Sequence, residues 1–261
     1  MELELKGKKA LITGASAGLG AAAAMELAAE GAVVTINSRS KDNLSEAAEA
    51  IEAATGNEPK LLVGDLSDAG GLKKVCAAAK TGGFDILVSN TGGPPPGDFR
   101  DHDATGFAEA SNLLLRPAVE LTRAVVDGMI ERKFGRLIYI TSIAVLQPVD
   151  SLILSNTYRA GITGFCKTIS NNYAQYGITA NCVCPGYTAT ERLTELADEL
   201  ASAQGKTRDD IMDGFASATA ARRIGQPEEL AALIAFLASE RAGYVTGCSI
   251  PVDGGAYKAL L

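Results

Sequence analysis

The stretch Ala10-Leu11-Ile12-Thr13-Gly14-Ala15-Ser16-Ala17-Gly18-Leu19-Gly20 decides how the chain is read. A short apolar run, Ala10–Thr13, passes straight into a glycine-rich turn, and an Ala-rich stretch suited to a helix follows over 19–30. In a parallel sheet the ligand crevice lies outside the carboxyl ends of the strands, where the strand order reverses. Glycines at such a corner let the backbone approach a pyrophosphate. The helix that follows offers free N–H groups and the positive end of its dipole. The spacing is G-x-x-x-G-x-G through Gly14, Gly18 and Gly20, not the usual G-x-G-x-x-G fingerprint. By itself such a turn is only a tight corner; its place between a first strand and a first helix points to a dinucleotide site.

Six more runs suited to strands follow: Val33–Ile36, Lys60–Val63, Ile86–Ser89, Leu137–Thr141, Thr179–Val183 and Ser249–Val252. They are apolar throughout rather than alternating, as strands covered on both faces are. Helical stretches lie between them near 41–54, 68–80, 104–132, 152–176 and 227–239. Gly31 closes the first helix, and Pro227 opens the last with Glu228 and Glu229 in its first turn. This alternation predicts an α/β fold: a Rossmann-type, doubly wound, seven-stranded parallel sheet with helices on both faces, one domain over 1–261. The polar, Ala-rich, weakly patterned stretch 190–222 is expected to be a mobile substrate flap.

The composition bounds the function. With 47% hydrophobic and 21% charged residues in 261, the chain can build a large core. A formal charge of −7 argues against nucleic-acid or membrane-surface partners, which call for a basic face. The opening MELELKGKK lacks the pattern of a secretion signal, and no apolar run approaches the roughly 18 residues of a membrane span. Five cysteines in apolar segments, without C-x-x-C spacing, are expected to be buried free thiols in a reducing cytoplasm, neither disulfides nor metal ligands.

The end of the second strand distinguishes the two dinucleotides. A carboxylate there binds the ribose 2′-hydroxyl of NAD, whereas an arginine accommodates the 2′-phosphate of NADP. The sequence offers Asn37-Ser38-Arg39-Ser40 and no carboxylate before Asp42, so NADP(H) is favoured over NAD(H).

Taken with Gly64-Asp65-Leu66, SNTGG from Ser89, GRLIYITS ending at Ser142, NCVCPGYTAT from Asn181, RRIGQPEEL from Arg222 and VTGCSIPVDGG ending at Gly255, the chain resembles the short-chain dehydrogenase/reductase family. Its ketoacyl-carrier-protein-reductase-like members are the most similar. The resemblance spans nearly the whole chain and implies a homotetramer. It also implies that Asp65 sits against the adenine, that Asn90 and Gly92 line the cofactor, and that Thr190 reaches the carboxamide. Ser16, Leu19, Leu66, Pro185, Gly186 and Thr188 complete the implied cofactor set.

The catalytic positions depart from the family's Asn, Ser, Tyr and Lys. In the family the Tyr and Lys stand four apart on one helical face, where the cation lowers the phenol's pKa from about 10 and binds the cofactor ribose. Aligned through Arg159-Ala160-Gly161, the Lys position holds Arg159 and the Tyr position holds Ser155, thirteen residues after Ser142; the Asn position holds Leu114. Only Ser142 is kept. Four residues beyond Tyr158 stands Ile162, not a base, so Tyr158 reads as a packing or interface aromatic. Tyr187, after Pro185-Gly186, is the substitute acid to consider, or a ring that only shapes the pocket. His102, between Asp101 and Asp103, reads as part of a solvated helix start rather than an acid–base or metal group. The run Gly92-Gly93-Pro94-Pro95-Pro96-Gly97 is either a stiff wall beside the nicotinamide or an ordinary ordered loop.

Two functions share this fold. One is an NADP(H)-dependent oxidoreductase interconverting a carbonyl and a secondary alcohol, on a small molecule or acyl thioester, with Ser142, Ser155, Arg159 and Tyr187 as its catalytic candidates. The other is a non-catalytic sensor or scaffold that binds a dinucleotide or metabolite. They differ in whether a proton donor reaches the substrate oxygen.

Overall fold

The computed structural model describes residues 2–260. Its strands are β1 (Lys9–Ile12), β2 (Val33–Ser38), β3 (Lys60–Val63), β4 (Ile86–Ser89), β5 (Gly135–Ile140), β6 (Ile178–Pro185) and β7 (Ser249–Val252). All run parallel in the order β3-β2-β1-β4-β5-β6-β7, with Ile12 beside both Ile36 and Val88. The order reverses between β1 and β4, so the crevice opens where Thr13 and Asn90 leave the sheet.

The helices are α1 (Gly18–Ala29), α2 (Lys41–Thr55), α3 (Ala69–Gly82), α4 (Ala104–Leu113), α5 (Leu115–Arg132), α6 (Ile153–Tyr173), α7 (Glu191–Gln204), α8 (Arg208–Ala218) and α9 (Pro227–Ala238). On one face Ala24, Leu27, Leu44, Ile51 and Ile234 pack on Ile12, Ile36 and Val88. On the other, Leu72, Val75, Leu121, Ile162 and Cys166 pack on Leu11, Leu87 and Leu137. Successive strand residues point to opposite faces. Both sets are therefore apolar, and this is why the central strands carry unbroken apolar runs.

Three expectations need correction. The helix expected over 104–132 is two helices, broken at Leu114 (φ −107°, ψ −64°). Pro117 supplies the reason: it has no N–H, and its ring would strike the carbonyl four residues back, that of Leu113. Burial on both faces fails at the sheet edges, where β3 is half open and β7 carries an exposed Pro251. An edge strand tolerates proline because its outer N–H has no ladder partner. The thiols of Cys166, Cys182 and Cys184 are buried and free as expected, but Cys76 is only half-buried and Cys248 is exposed. No helix among the described residues is long and apolar enough to cross a membrane.

Candidate active site

The glycine turn is locked to the β4 exit. Thr13 Oγ1 donates to Asn90 O (2.7 Å) and accepts from the Asn90 N–H (2.9 Å), while Asn90 Nδ2 donates to Gly14 O (3.0 Å). Gly14 and Gly18 both stand at φ +55°, a conformation that disfavours side chains. A Cβ on Gly20 would lie 2.2 Å from Gly14 O, so this position excludes any side chain. The first turn of α1 has no side-chain cap and no acidic residue. Ser40, Asp68, Asp103, Thr190 and Thr207, by contrast, cap their own helices. Free N–H groups and an uncompensated dipole end therefore face the crevice beside half-buried Ser16 and Leu19. Thr190 stands at the same corner, its Cγ2 3.4 Å from where a Gly18 Cβ would be.

At the far end of the crevice Arg39 is exposed. Ser38 Oγ accepts the Ser40 N–H (3.2 Å). Asp65 Oδ1 accepts from the Ser67 hydroxyl (2.7 Å) and N–H (2.9 Å). The Ser67 hydroxyl chiefly, opposed by partial burial and aided by the Arg39 charge, holds the Asp65 carboxyl below the ordinary range. Leu66 beside it is buried.

Between β4 and β5 lies Arg159, 8% exposed. Its Nη1 donates to Ile140 O (3.0 Å) and Thr141 O (3.1 Å), and its Nη2 to Gly92 O (3.4 Å). Burial, and next the like charge of Arg192, press its pKa down to about 10, so the guanidinium stays cationic near neutrality. Ser142 Oγ accepts the Ala144 N–H (3.1 Å), which leaves its own hydrogen free to donate. Ser155, one helical turn before Arg159, is buried, and its hydroxyl has no partner among the described residues. Leu114 is buried at the helix break, with no polar group to offer.

The proline-rich segment is tied down at several points. Gly97 N–H donates to Ser151 O (2.6 Å), and Ile153 N–H to Gly97 O (3.4 Å). Arg192 Nη2 donates to Pro94 O (3.3 Å). Sequence reasoning missed Arg192. Its signal was a cation in the first turn of a helix, where the dipole disfavours one. Gly186 N–H bonds Val252 O (3.0 Å), and Thr188 bridges Gly225. Tyr187 stacks on Phe215 of α8, centroids 4.5 Å apart and planes at 14°. Tyr158 packs near Phe107 at 6.5 Å, as an aromatic without a base beside it should. His102 immediately precedes the Asp103 cap of α4, but the expectation that it is solvated needs correction: it is half-buried against Gly97, and its Nε2 is buried without a partner among the described residues.

A switch-point crevice with a glycine turn, an uncapped helix start and a serine–arginine cluster defines a dinucleotide-dependent oxidoreductase. The chain belongs to the short-chain dehydrogenase/reductase family: residues 14–257 match the family model described as enoyl-(acyl carrier protein) reductase. Nodulation protein G of Rhizobium sp. (strain N33) is 35% identical over 97% of this chain and 98% of its own length. The 3-oxoacyl-[acyl-carrier-protein] reductase FabG of Haemophilus influenzae is 32% identical over 97% and 99%. The structure of L-sorbose reductase from Gluconobacter frateurii, complexed with NADPH and L-sorbose, superposes with a TM-score of 0.93 at 32% identity, covering 100% of both chains. The protein is accordingly an enzyme of this class, interconverting a carbonyl and an alcohol, and the sensor or scaffold reading is set aside.

Proposed function

We propose that the protein is an NADPH-dependent ketone reductase whose proton reaches the substrate through water rather than a tyrosine. The observation that carries this reading is the cluster at the β5–α6 corner, where Ser142 keeps a free O–H, Ser155 stands unpartnered and Arg159 is a fixed cation. The turn around Gly14, Gly18 and Gly20, with the uncapped α1 start, suits a pyrophosphate, and Arg39 suits a 2′-phosphate. Relatives bound to NADPH support that choice. When bound, the cofactor supplies the hydride.

The chain's own residues do the rest. The Ser142 hydroxyl donates to the substrate carbonyl oxygen and orients it. The alkoxide that develops there is stabilised by the positive potential of Arg159, whose charge is worth more in a buried site than in water. A serine hydroxyl is a weak acid and a guanidinium holds its protons, so neither replaces a phenol; a water beside Ser155 Oγ relays to the alkoxide a proton drawn from bulk solvent. General acid catalysis is worth about 10²–10⁴-fold, so turnover on simple ketones is slow but not abolished. Tyr187, stacked on Phe215, shapes the pocket. Helices α7 and α8 form a flap with a small core of Ala197, Ala201 and Ile211 that closes over substrate. The enzyme works in the cytoplasm as a homotetramer built on α4–α5 and α6, where Ala160, Gly161 and Gly164 are exposed.

Fluorescence titration with NADPH and NADH, followed by NADPH oxidation over a ketone panel, tests this reading. Tighter NADPH binding and slow turnover that falls further in Ser142→Ala are expected. Failure to bind either nucleotide overturns it.

A further inference from the structure

The helix that carries Ser155 begins without a cap of its own. Leu152, at its N-cap, makes no side-chain bond, and the first turn of α6 holds no acidic residue. A helix start needs partners for its free N–H groups, and a Ser, Thr or Asp side chain is the ordinary source. In α6 the partner is main chain from a distant segment. The Ile153 N–H donates to Gly97 O (3.4 Å), and the Gly97 N–H donates to Ser151 O (2.6 Å), so that Gly97 lies parallel to Leu152 as a single bridge. Asn156, in the same turn, grips Val149 from the other side: its Oδ1 accepts the Val149 N–H (3.4 Å) and its Nδ2 donates to Val149 O (2.9 Å). The end of the proline-rich segment thus stands where Ser40 stands in α2 and Thr190 in α7.

His102 backs Gly97 in that place. The 3₁₀ turn Phe99–Asp101, closed by the capping box of Asp98 and Asp101, folds the chain back so that the His102 ring lies on Gly97. A Cβ on Gly97 would lie 2.5 Å from His102 Nε2 and 3.0 Å from Asp101 Cβ, so the ring fills the space a side chain would need. The Gly97 backbone, at φ +149°, also calls for glycine. Two unfavourable features meet at this contact. His102 Nε2 is buried without a partner among the described residues, and Ser151, whose carbonyl receives the Gly97 N–H, stands at φ +62°. An unpaired buried nitrogen and a left-handed non-glycine residue are both costly. Features of this kind persist where the surroundings over-determine a geometry, and they gather at active sites. Here they sit immediately before Ser155.

We propose that Gly97 and His102 are positioning residues for the reduction: the His102 ring presses the Gly97 main chain onto the start of α6, and this contact fixes where Ser155 stands. This rests on the reductase reading and adds two residues that act through α6. Ser155 lies in the first turn, just beyond the bonded Ile153, so a shift of the seam moves the serine first. Arg159 comes one turn later and is held independently by Ile140 O and Thr141 O. Loss of the wedge should therefore loosen Ser155 and the water beside it and leave the cofactor crevice intact. A displacement of about 1 Å at a reacting centre is worth about 10²-fold in rate.

The test compares His102→Ala, which removes the ring, with His102→Phe, which keeps a flat ring and removes the unpaired nitrogen, both in the full-length protein. Hydrogen exchange reads the contact without turnover. In His102→Ala the amides of Gly97 and Ile153 should exchange at least about tenfold faster, those of α9 should not change, and His102→Phe should restore the protection. With NADPH saturating, kcat on simple ketones should fall about tenfold to a hundredfold in His102→Ala and recover in His102→Phe, while NADPH affinity stays at the wild-type value. A merely structural role would lower the melting temperature and leave kcat of the folded protein where it was. Gly97→Ala drives a methyl group into the ring from the other side; it should reproduce both losses, and it carries the test should His102→Ala fail to fold. If wild type reduces no ketone, the reductase reading fails while hydrogen exchange still decides on the seam. Wild-type exchange at Gly97 and Ile153 in His102→Ala overturns the inference, as does a kcat that survives the loss of protection. So does a His102→Ala protein whose NADPH affinity falls with its kcat, since the ring would then serve the crevice.

Discussion

Replacing Gly20 by alanine tests the crevice at its tightest point. The new Cβ would sit 2.2 Å from Gly14 O and 2.9 Å from Asn90 Nδ2. Unbonded heavy atoms settle near 3.5–4.0 Å, so the turn must retreat by more than ~1 Å. Neither neighbour can yield by rotating: Gly14 O belongs to the backbone, and Asn90 is held at its N–H, its O and its side chain. Overpacking of this kind costs about 1–3 kcal/mol, and losing the Asn90–Gly14 bond adds about 1 kcal/mol. The sum, roughly 2–4 kcal/mol, should lower the melting temperature by about 5–15 °C in a chain of this size. The displaced turn should also weaken NADPH by at least about tenfold, because N–H groups aimed at a phosphate lose their alignment. Thermal melts and NADPH fluorescence titration read both effects. Gly214→Ala in α8, where a Cβ meets nothing within 4 Å, is the control and should be neutral or stabilising by up to about 1 kcal/mol. A Gly20→Ala protein with wild-type melting and wild-type NADPH affinity would refute the account of the turn.

Other outcomes follow from the same geometry. Arg39→Ala should weaken NADPH by about tenfold or more and leave NADH unaffected, as titration will show. Ser155→Tyr with Arg159→Lys should raise kcat on simple ketones by up to about 10²-fold, with Leu114 still short of the family's asparagine; an unchanged kcat would count against the missing-acid account. Because its folded pKa is lowered to about 10, Arg159 is protonated below that pH and its burial cost is constant there, easing only as pH rises from the folded value towards the unfolded one. The pH–rate profile should therefore show no break from this group between about pH 6 and about pH 9, in wild type or in Arg159→Met. Arg136→Met, which strips buried bonds from Ser239 O, Gly135 O and Gly177 O, should cost about 2–4 kcal/mol in denaturant melts without altering the NADPH preference.

Much of this was legible in the sequence, for identifiable reasons. Central parallel strands are covered twice, so Ile86–Ser89 and its neighbours announce themselves as apolar runs. The glycine turn carries its conformational demand in its residue types. The break at Leu114 hid because apolar periodicity continues across it, although Pro117 marks the carbonyl it displaces. The seam joining Gly97 to Ser151–Ile153 is made of main-chain bonds between distant segments, and main chain leaves no residue-type signature. Arg192 showed only as an out-of-place cation in a helix's first turn, because its meaning depends on Pro94, almost a hundred residues earlier and adjacent only in the fold. The altered Ser155 and Arg159 positions could be located by spacing, but the carbonyls that hold the guanidinium could not.

The uneven burial of the thiols offers an experimental handle. Burial pushes the Cys76 and Cys184 thiols up to about 11, and Cys166 and Cys182 are closed off inside the sheet–helix layer. Cys248 alone is exposed among the five. A maleimide dye added near neutral pH should therefore attach at one site, because attack requires an accessible thiolate. That site precedes β7, at the opposite end of its strand from the crevice, so the label leaves the nucleotide path clear. With no tryptophan in the chain, only tyrosine and phenylalanine contribute ultraviolet background, and energy transfer between bound NADPH and a single dye becomes a direct ruler for the distance from the crevice to the far end of β7.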